Sequence, residues 1–179
     1  WQKAMEQEGW NALYVENHDI PRITSKWGDP KNFWRESATS IAAMYFLMQG
    51  TPFIYQGQEI GMTNTQFSGP DDFNDVFAKN TFRIKKAEGK SEAEITAELS
   101  PLSRDNARTP MQWNSSAQAG FTTGKPWLKV NPNFPSVNVE AQRKDPRSIF
   151  QFYRQLISLR KSDPVWVYGA FELVEPEHE

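Results

Sequence analysis

Between residues 12 and 57 two short apolar runs flank one long helical pattern, and this constrains the fold more than any other feature of the sequence. Ala12-Leu13-Tyr14-Val15-Glu16 leads into Asn17-His18-Asp19 and reads as a buried strand ending in polar residues. A loop with Pro21, Gly28 and Asp29-Pro30 follows; Asp29 suits a helix N-cap and Pro30 a first helical turn. Trp34, Ala38, Ile41, Ala42, Tyr45 and Met48 then recur at helical spacing, until Gly50 and Pro52 stop the pattern. Pro52-Phe53-Ile54-Tyr55 forms the second run and ends in Gln56-Gly57-Gln58-Glu59. Strand, helix and strand in this order predict a parallel βαβ unit and an α/β fold.

Regularity is lost from Ile60 to Asp145, where Gly, Pro, Asn and Asp are frequent. Two pieces still read as helices, about Asp71–Lys86 and about Glu92–Leu99, the second with Ser91 and Glu94 at capping-box spacing. A connection this long is usually functional. Asp145-Pro146 opens a further helix with Ile149, Phe152, Tyr153, Leu156, Ile157 and Arg160 along one face. Arg160 and Lys161 suit its last turn, and Asp163-Pro164 ends it. Val165 to Val174 alternates loosely and is expected to start a β-strand; Pro176 to Glu179 is expected to be a solvated end.

The 179 residues can bury one sizeable core. They fall short of a complete (β/α)₈ barrel, which takes about 250. The chain starts at Trp1, with neither an initiator Met nor a signal peptide, so it is expected to be a piece of a longer protein. Twenty Lys and Arg against 22 Asp and Glu give a net charge of −2, which argues against a strongly basic nucleic-acid surface. The absence of Cys excludes disulfides, thiolate metal sites and a Cys nucleophile. The longest apolar run, around Ile41–Met48, is far shorter than the roughly 20 residues of a membrane span. Seven Trp are compatible with core packing and equally with stacking on sugar rings.

Three constellations could carry chemistry. In Glu16-Asn17-His18-Asp19, His18 and Asp19 would face the rim where α/β folds build their sites, and together could grip two neighbouring hydroxyls. Alternatively, Asp19 caps a loop and His18 is a buried, satisfied polar group. His178, the other His, sits in the tail, so no His–His metal site is expected. In Ser103 to Trp113, Arg104 and Arg108 lie four apart; they could bind sugar hydroxyls or carboxylates, or staple a loop through ion pairs. In Tyr55 to Gly61, Gly57 and Gly61 suggest a tight turn with close backbone approach, and Glu59 is expected to be structural. Neither a P-loop nor a Gly-x-Ser-x-Gly elbow is present.

These constellations, in this order, resemble the alpha-amylase family, glycoside hydrolase family 13, in its oligo-1,6-glucosidase branch. The residues carrying the resemblance are Asn17-His18-Asp19 with Pro21-Arg22, Gly50 through Met62, Ser103 through Trp113, Ala119 to Thr122, Lys125-Pro126-Trp127, Val130 to Asn133, and Leu159-Arg160-Lys161. The resemblance implies an incomplete (β/α)₈ TIM barrel. Residues 12–19 would be strand 7, 31–49 helix 7, 52–57 strand 8 and 147–161 the last barrel helix. Residues 1–164 would then be the C-terminal portion of the catalytic barrel, and 165–179 the start of a C-terminal β-sandwich.

The resemblance also implies a retaining, exo-acting alpha-glucosidase, most suited to α-1,6 bonds of oligosaccharides or disaccharides. Asp19 would be the transition-state stabiliser and His18 a ligand of the same glucose ring. Arg104 would bind the 4-hydroxyl at the non-reducing end, and Arg108 would bind substrate or support the loop. The nucleophile and the acid/base belong to strands 4 and 5, before residue 1, so these residues alone are expected to be inactive. No cofactor, metal, nucleic-acid or membrane partner is implied; a cytoplasmic monomer is. Ile20 in place of a common Gln, Glu16 in place of Asn or an aromatic, and Phe77 in place of a Glu depart from the family pattern. They leave open a sucrose isomerase or transglucosidase. A non-catalytic scaffold, such as a transporter heavy-chain ectodomain, would have no need for His18, Asp19 and Arg104 together.

Overall fold

The computed structural model describes residues 2–5, 8–172 and 174. A short helix, α1 (Gln2–Met5), precedes strand β1 (Ala12–Leu13). Helices α2 (Ile23–Trp27) and α3 (Trp34–Phe46) lead to strand β2 (Thr51–Pro52). The strands pair in parallel, Ala12 opposite Thr51 and Leu13 opposite Pro52. The βαβ unit is therefore present, but its ladder is shorter than the apolar runs. A strand is defined by its partners, and among the described residues neither run pairs with a further strand. The helix expected over 31–49 covers only Trp34–Phe46. Asp29 does not cap it: its carboxylate accepts from the Lys31 and Asn32 amides, and so caps the preceding turn.

After β2 the chain forms α4 (Val76–Ala87), α5 (Glu92–Leu99), α6 (Asp105–Arg108), α7 (Val139–Lys144), α8 (Ile149–Ser162) and α9 (Val165–Tyr168). The helix expected from Asp71 begins only at Val76, because Pro70–Asp72 forms a separate 3₁₀ turn and Phe73 is extended. The capping box at Ser91 and Glu94 is formed as expected. The strand expected from Val165 is instead the helical turn α9, and the solvated end expected at Pro176 to Glu179, with His178, lies outside the described residues. Helices α2, α6 and α7 are too short to show a periodic face, which is why the sequence pattern does not reveal them. No described helix is long and apolar enough to cross a membrane.

The main core joins Leu13 and Val15 to Ala38, Ala42, Tyr45 and Phe46 of α3 and to Ile149, Tyr153 and Leu156 of α8. Gln58 is buried between these helices and donates to the hydroxyls of Tyr45 and Tyr153, 3.2 and 2.8 Å away. Arg160, in the last turn of α8, donates to the carbonyls of Phe46, Met48, Gly50 and Trp166. Its fixed fork satisfies carbonyls left free where α3 ends and the chain turns into β2. A second core, with Phe67, Phe73, Phe82, Ile95 and Leu99, closes the α4–α5 hairpin, which ion pairs from Lys85 and Lys90 to Glu98 stitch on its surface. Tyr14 is exposed on the side opposite the buried Leu13 and Val15, and the strand register sets the exposed Phe53 on the same side as Tyr14.

Candidate active site

The site is assembled where the two strand segments end. Beyond β1, Asn17 Oδ1 accepts from the Asp19 amide at 2.8 Å, a local turn that lifts His18 and Asp19 into solvent. Asn17, not Asp19, is thus the loop-forming residue, and His18 is exposed rather than buried. Beneath the turn, Glu16 is buried and accepts from the Ile23 amide at 2.6 Å and from Arg22 Nη1 at 3.2 Å. Arg22 is fully buried and also donates to the Gln56 carbonyl at 2.7 Å, with its guanidinium 5.5 Å from the centre of the Tyr55 ring. The pair therefore ties the end of the first strand segment to the end of the second.

Gly57 makes the following turn possible. It has φ +91°, and a Cβ there would lie 2.4 Å from Met62 Sδ. Glu59 accepts from the Gly57 amide at 2.8 Å, the structural role expected of it. Burial pushes the carboxyls of both Glu16 and Glu59 above their ordinary value, against the lowering charge of Arg22.

The short helix α6 brings in the arginines. Tyr55 Oη and Gln56 Nε2 both donate to the Ala107 carbonyl, at 3.1 and 3.3 Å, and so fasten α6 above the strand ends. Arg104, which precedes this single turn, and Arg108, its last residue, point the same way, as residues four apart on a helix do. Both reach one oxygen: Asp19 Oδ1 accepts from Arg104 Nη1 at 3.2 Å and from Arg108 Nη2 at 3.1 Å. His18 Nε2 lies 3.2 Å from the other oxygen, and Arg108 Nε donates to the His18 carbonyl at 2.9 Å. His18, Asp19, Arg104 and Arg108, though 85 or more residues apart between the two pairs, thus form one cluster. Asp19 remains half-exposed and can accept further hydrogen bonds.

Two carboxylates that the motif reading did not single out complete the cluster. Asp75, immediately before α4, takes Arg104 Nε at 3.1 Å and Nη2 at 2.5 Å, a bidentate pair. Asp105 is fully buried and accepts from the amides of Asn74 and Asp75 at 2.7 and 2.8 Å, which sets Asp75 in place. The signal in the sequence was indirect: two arginines gathered at a rim need counter-charges. Which acids supply them depends on a contact 29 residues apart.

Burial pushes the Asp75 carboxyl up, but the hydrogen bond and charge of Arg104 outweigh it and hold it below the ordinary carboxylate value of 3.8. A lowered pKa in the folded state gives stability that is present above the unfolded value and lost as pH falls through the folded one. The acid limb of the melting temperature is therefore expected to flatten in Asp75→Asn. Thermal melts at decreasing pH below 3.8 check this, and an unchanged acid limb would contradict it. Among the described residues no group of three or more His, Asp and Glu is arranged to hold a metal.

The family model "Alpha amylase, catalytic domain" matches residues 1–169. The chain is 48% identical over 179 residues to "Probable oligo-1,6-glucosidase 3" of Bacillus subtilis (strain 168), covering 100% of this chain and 32% of that protein. Its fold superposes with a TM-score of 0.95 on the crystal structure of Bacillus licheniformis trehalose-6-phosphate hydrolase, at 45% identity, over 100% of this chain and 33% of that one. With an isomaltulose synthase mutant from Erwinia rhapontici NX5, crystallised with sucrose, the TM-score is 0.90 at 42% identity, over 99% and 32% of the two chains. The chain thus spans about a third of the length of the relatives it matches. By sequence and by fold, it belongs to the alpha-amylase family and forms part of that family's catalytic domain.

Proposed function

We propose that this chain is the C-terminal portion of the catalytic (β/α)₈ barrel of a retaining, exo-acting alpha-glucosidase that cleaves α-1,6 bonds of short oligosaccharides. In this reading β1 and β2 belong to barrel strands 7 and 8, and the exposed Tyr14 and Phe53 face the barrel interior. Residues 1–164 are the barrel portion, and the next domain opens after them. The observation that carries the proposal is the convergence of His18, Asp19 and Arg104 at the C-terminal ends of parallel strands. Sites in such barrels are built at that end.

Retaining glycosidases work with two carboxyls about 5–5.5 Å apart, which here come from residues before this stretch. The part left to this chain is to hold the glucose ring. Asp19 accepts from ring hydroxyls while Arg104 and Arg108 fix its orientation from behind. His18 presents a ring nitrogen beside the same carboxylate. Hydrogen bonds that strengthen as positive charge develops on the sugar lower the barrier, rather than only binding substrate. Phe77, exposed in the first turn of α4 just beyond Asp75, puts an apolar ring near the cluster and bears on which acceptor is used.

The similarity to isomaltulose synthase favours a second reading, transfer of glucose within sucrose rather than to water. The test is incubation of the full-length protein with isomaltose and with sucrose, following products and anomeric form by NMR. Release of glucose from isomaltose with retained configuration is expected. Rearranged disaccharides from sucrose would establish the second reading. Inertness toward both sugars would overturn both.

A further inference from the structure

The polypeptide around Trp113 is built to hold an exposed indole still. Its amide and that of Asn114 donate to the Ala119 carbonyl at 2.9 and 3.2 Å, and its own carbonyl accepts from the Glu140 amide at 3.0 Å. The preceding Gln112 is fully buried and donates to Asn133 Oδ1 at 3.0 Å and to the Val137 carbonyl. To present the Ala119 carbonyl, the chain makes a left-handed turn with φ +54° at Gln118, +55° at Ala119 and +67° at Gly120. Two of these are not glycine, and such residues persist only where the surroundings enforce the conformation. Gly120 is needed for a second reason: a Cβ there would lie 2.6 Å from the Asn114 amide.

Despite this support the Trp113 side chain is not core: it is 49% exposed. It lines a cleft of about 540 Å³ with Asn114, Val139, Glu140, Arg143 and Lys144. This cleft shares no residue with the Asp19 cluster. Its equipment is two-sided. Trp113 and Val139 supply apolar surface, the indole being flat and rigid. Glu140, paired with Lys144 at 2.7 Å, supplies an acceptor. The Arg143 guanidinium makes no ion pair among the described residues, and the Asn114 amide nitrogen is left to donate because its oxygen caps the Ser116 amide and hydroxyl. A pyranose has the complementary halves, an apolar C–H face and a rim of hydroxyls that both donate and accept. A phosphate or nucleic acid would meet the Glu140 carboxylate in the same rim.

We propose that Trp113 is the platform of a second carbohydrate-binding site, separate from the Asp19 cluster, which holds an α-glucan chain. The choice of glucan rests on the glucosidase reading; the site itself does not. The site holds a glucan segment on the surface, away from the Asp19 cluster.

The test is electrophoresis of the full-length protein through gels with and without soluble dextran, alongside hydrolysis of 4-nitrophenyl α-glucoside. Trp113→Ala is expected to weaken dextran retardation about fivefold or more, the effect of losing one aromatic stacking contact. Arg143→Ala, on the exposed side of α7, is expected to weaken it less, and neither change should alter hydrolysis of the small substrate. Should Trp113→Ala fail to fold, Arg143→Ala decides alone. Absence of retardation in the wild type, unchanged retardation in the folded variants, or parallel loss of retardation and hydrolysis would each overturn the proposal. Trp113-dependent retardation in a protein inert toward α-glucosides would uphold this site and sink the glucosidase reading.

Discussion

Asp19→Asn in the full-length enzyme is expected to lower kcat by about 10³-fold, with a smaller change in KM. The substitution keeps the shape of the side chain and removes half its accepting capacity. In the folded protein Oδ1 takes both guanidinium groups and Oδ2 faces His18. An amide must place its NH₂ against one of these donors or turn it toward the sugar. In either orientation, the site presents a donor or a displaced oxygen where the proposed function needs an anionic acceptor for ring hydroxyls and developing positive charge. Steady-state kinetics on isomaltose and on an activated aryl glucoside checks this. A kcat within tenfold of wild type would remove Asp19 from the mechanism. Circular dichroism should be unchanged, because Asp19 is half-exposed and belongs to no core.

The second large effect concerns stability. Arg22→Met is expected to cost about 3–5 kcal/mol, because it strands the buried Glu16 carboxylate and an unpaired Gln56 carbonyl. Burial already raises the Glu16 pKa even with Arg22 beside it, and removing the guanidinium raises it further. A raised folded-state pKa means stability that is present at low pH and lost as pH rises through the folded value. The variant is therefore expected to regain stability as pH is lowered toward the ordinary carboxylate value of 4.5 and Glu16 takes up a proton. Glu16→Gln in the same background should recover part of the loss, and a chemical-denaturation double-mutant cycle measures the coupling. Strict additivity of the two changes would show that the pair contributes nothing.

Much of this architecture was legible because it is local. The apolar runs at 12–16 and 52–55 and the helical spacing from Trp34 to Met48 reappear as a parallel pair bridged by α3. The apolar face from Ile149 to Arg160 is buried as its periodicity indicates, and Ser91 with Glu94 caps α5. The misreadings arose where one residue type serves two turns. Asp29-Pro30 looks like a helix start but caps a loop, and the alternation after Val165 sits in a helical turn. Alternation over a few residues is weak evidence when no partner strand is there to use it.

The candidate site divides in the same way. His18 and Asp19 were readable from their place at the end of an apolar run, and Arg104 with Arg108 from their spacing of one helical turn. The sequence by itself therefore determined the residue types, the βαβ unit and the family pattern. Only the tertiary structure decided that both arginines meet one oxygen of Asp19, that Asp75 and Asp105 complete the charge balance, and that Glu16 and Arg22 join the two strand ends underneath. The reason is physical. Propensity and periodicity act over a few residues, whereas the partner of a buried or clustered charge is chosen by which distant segment packing brings within about 3 Å.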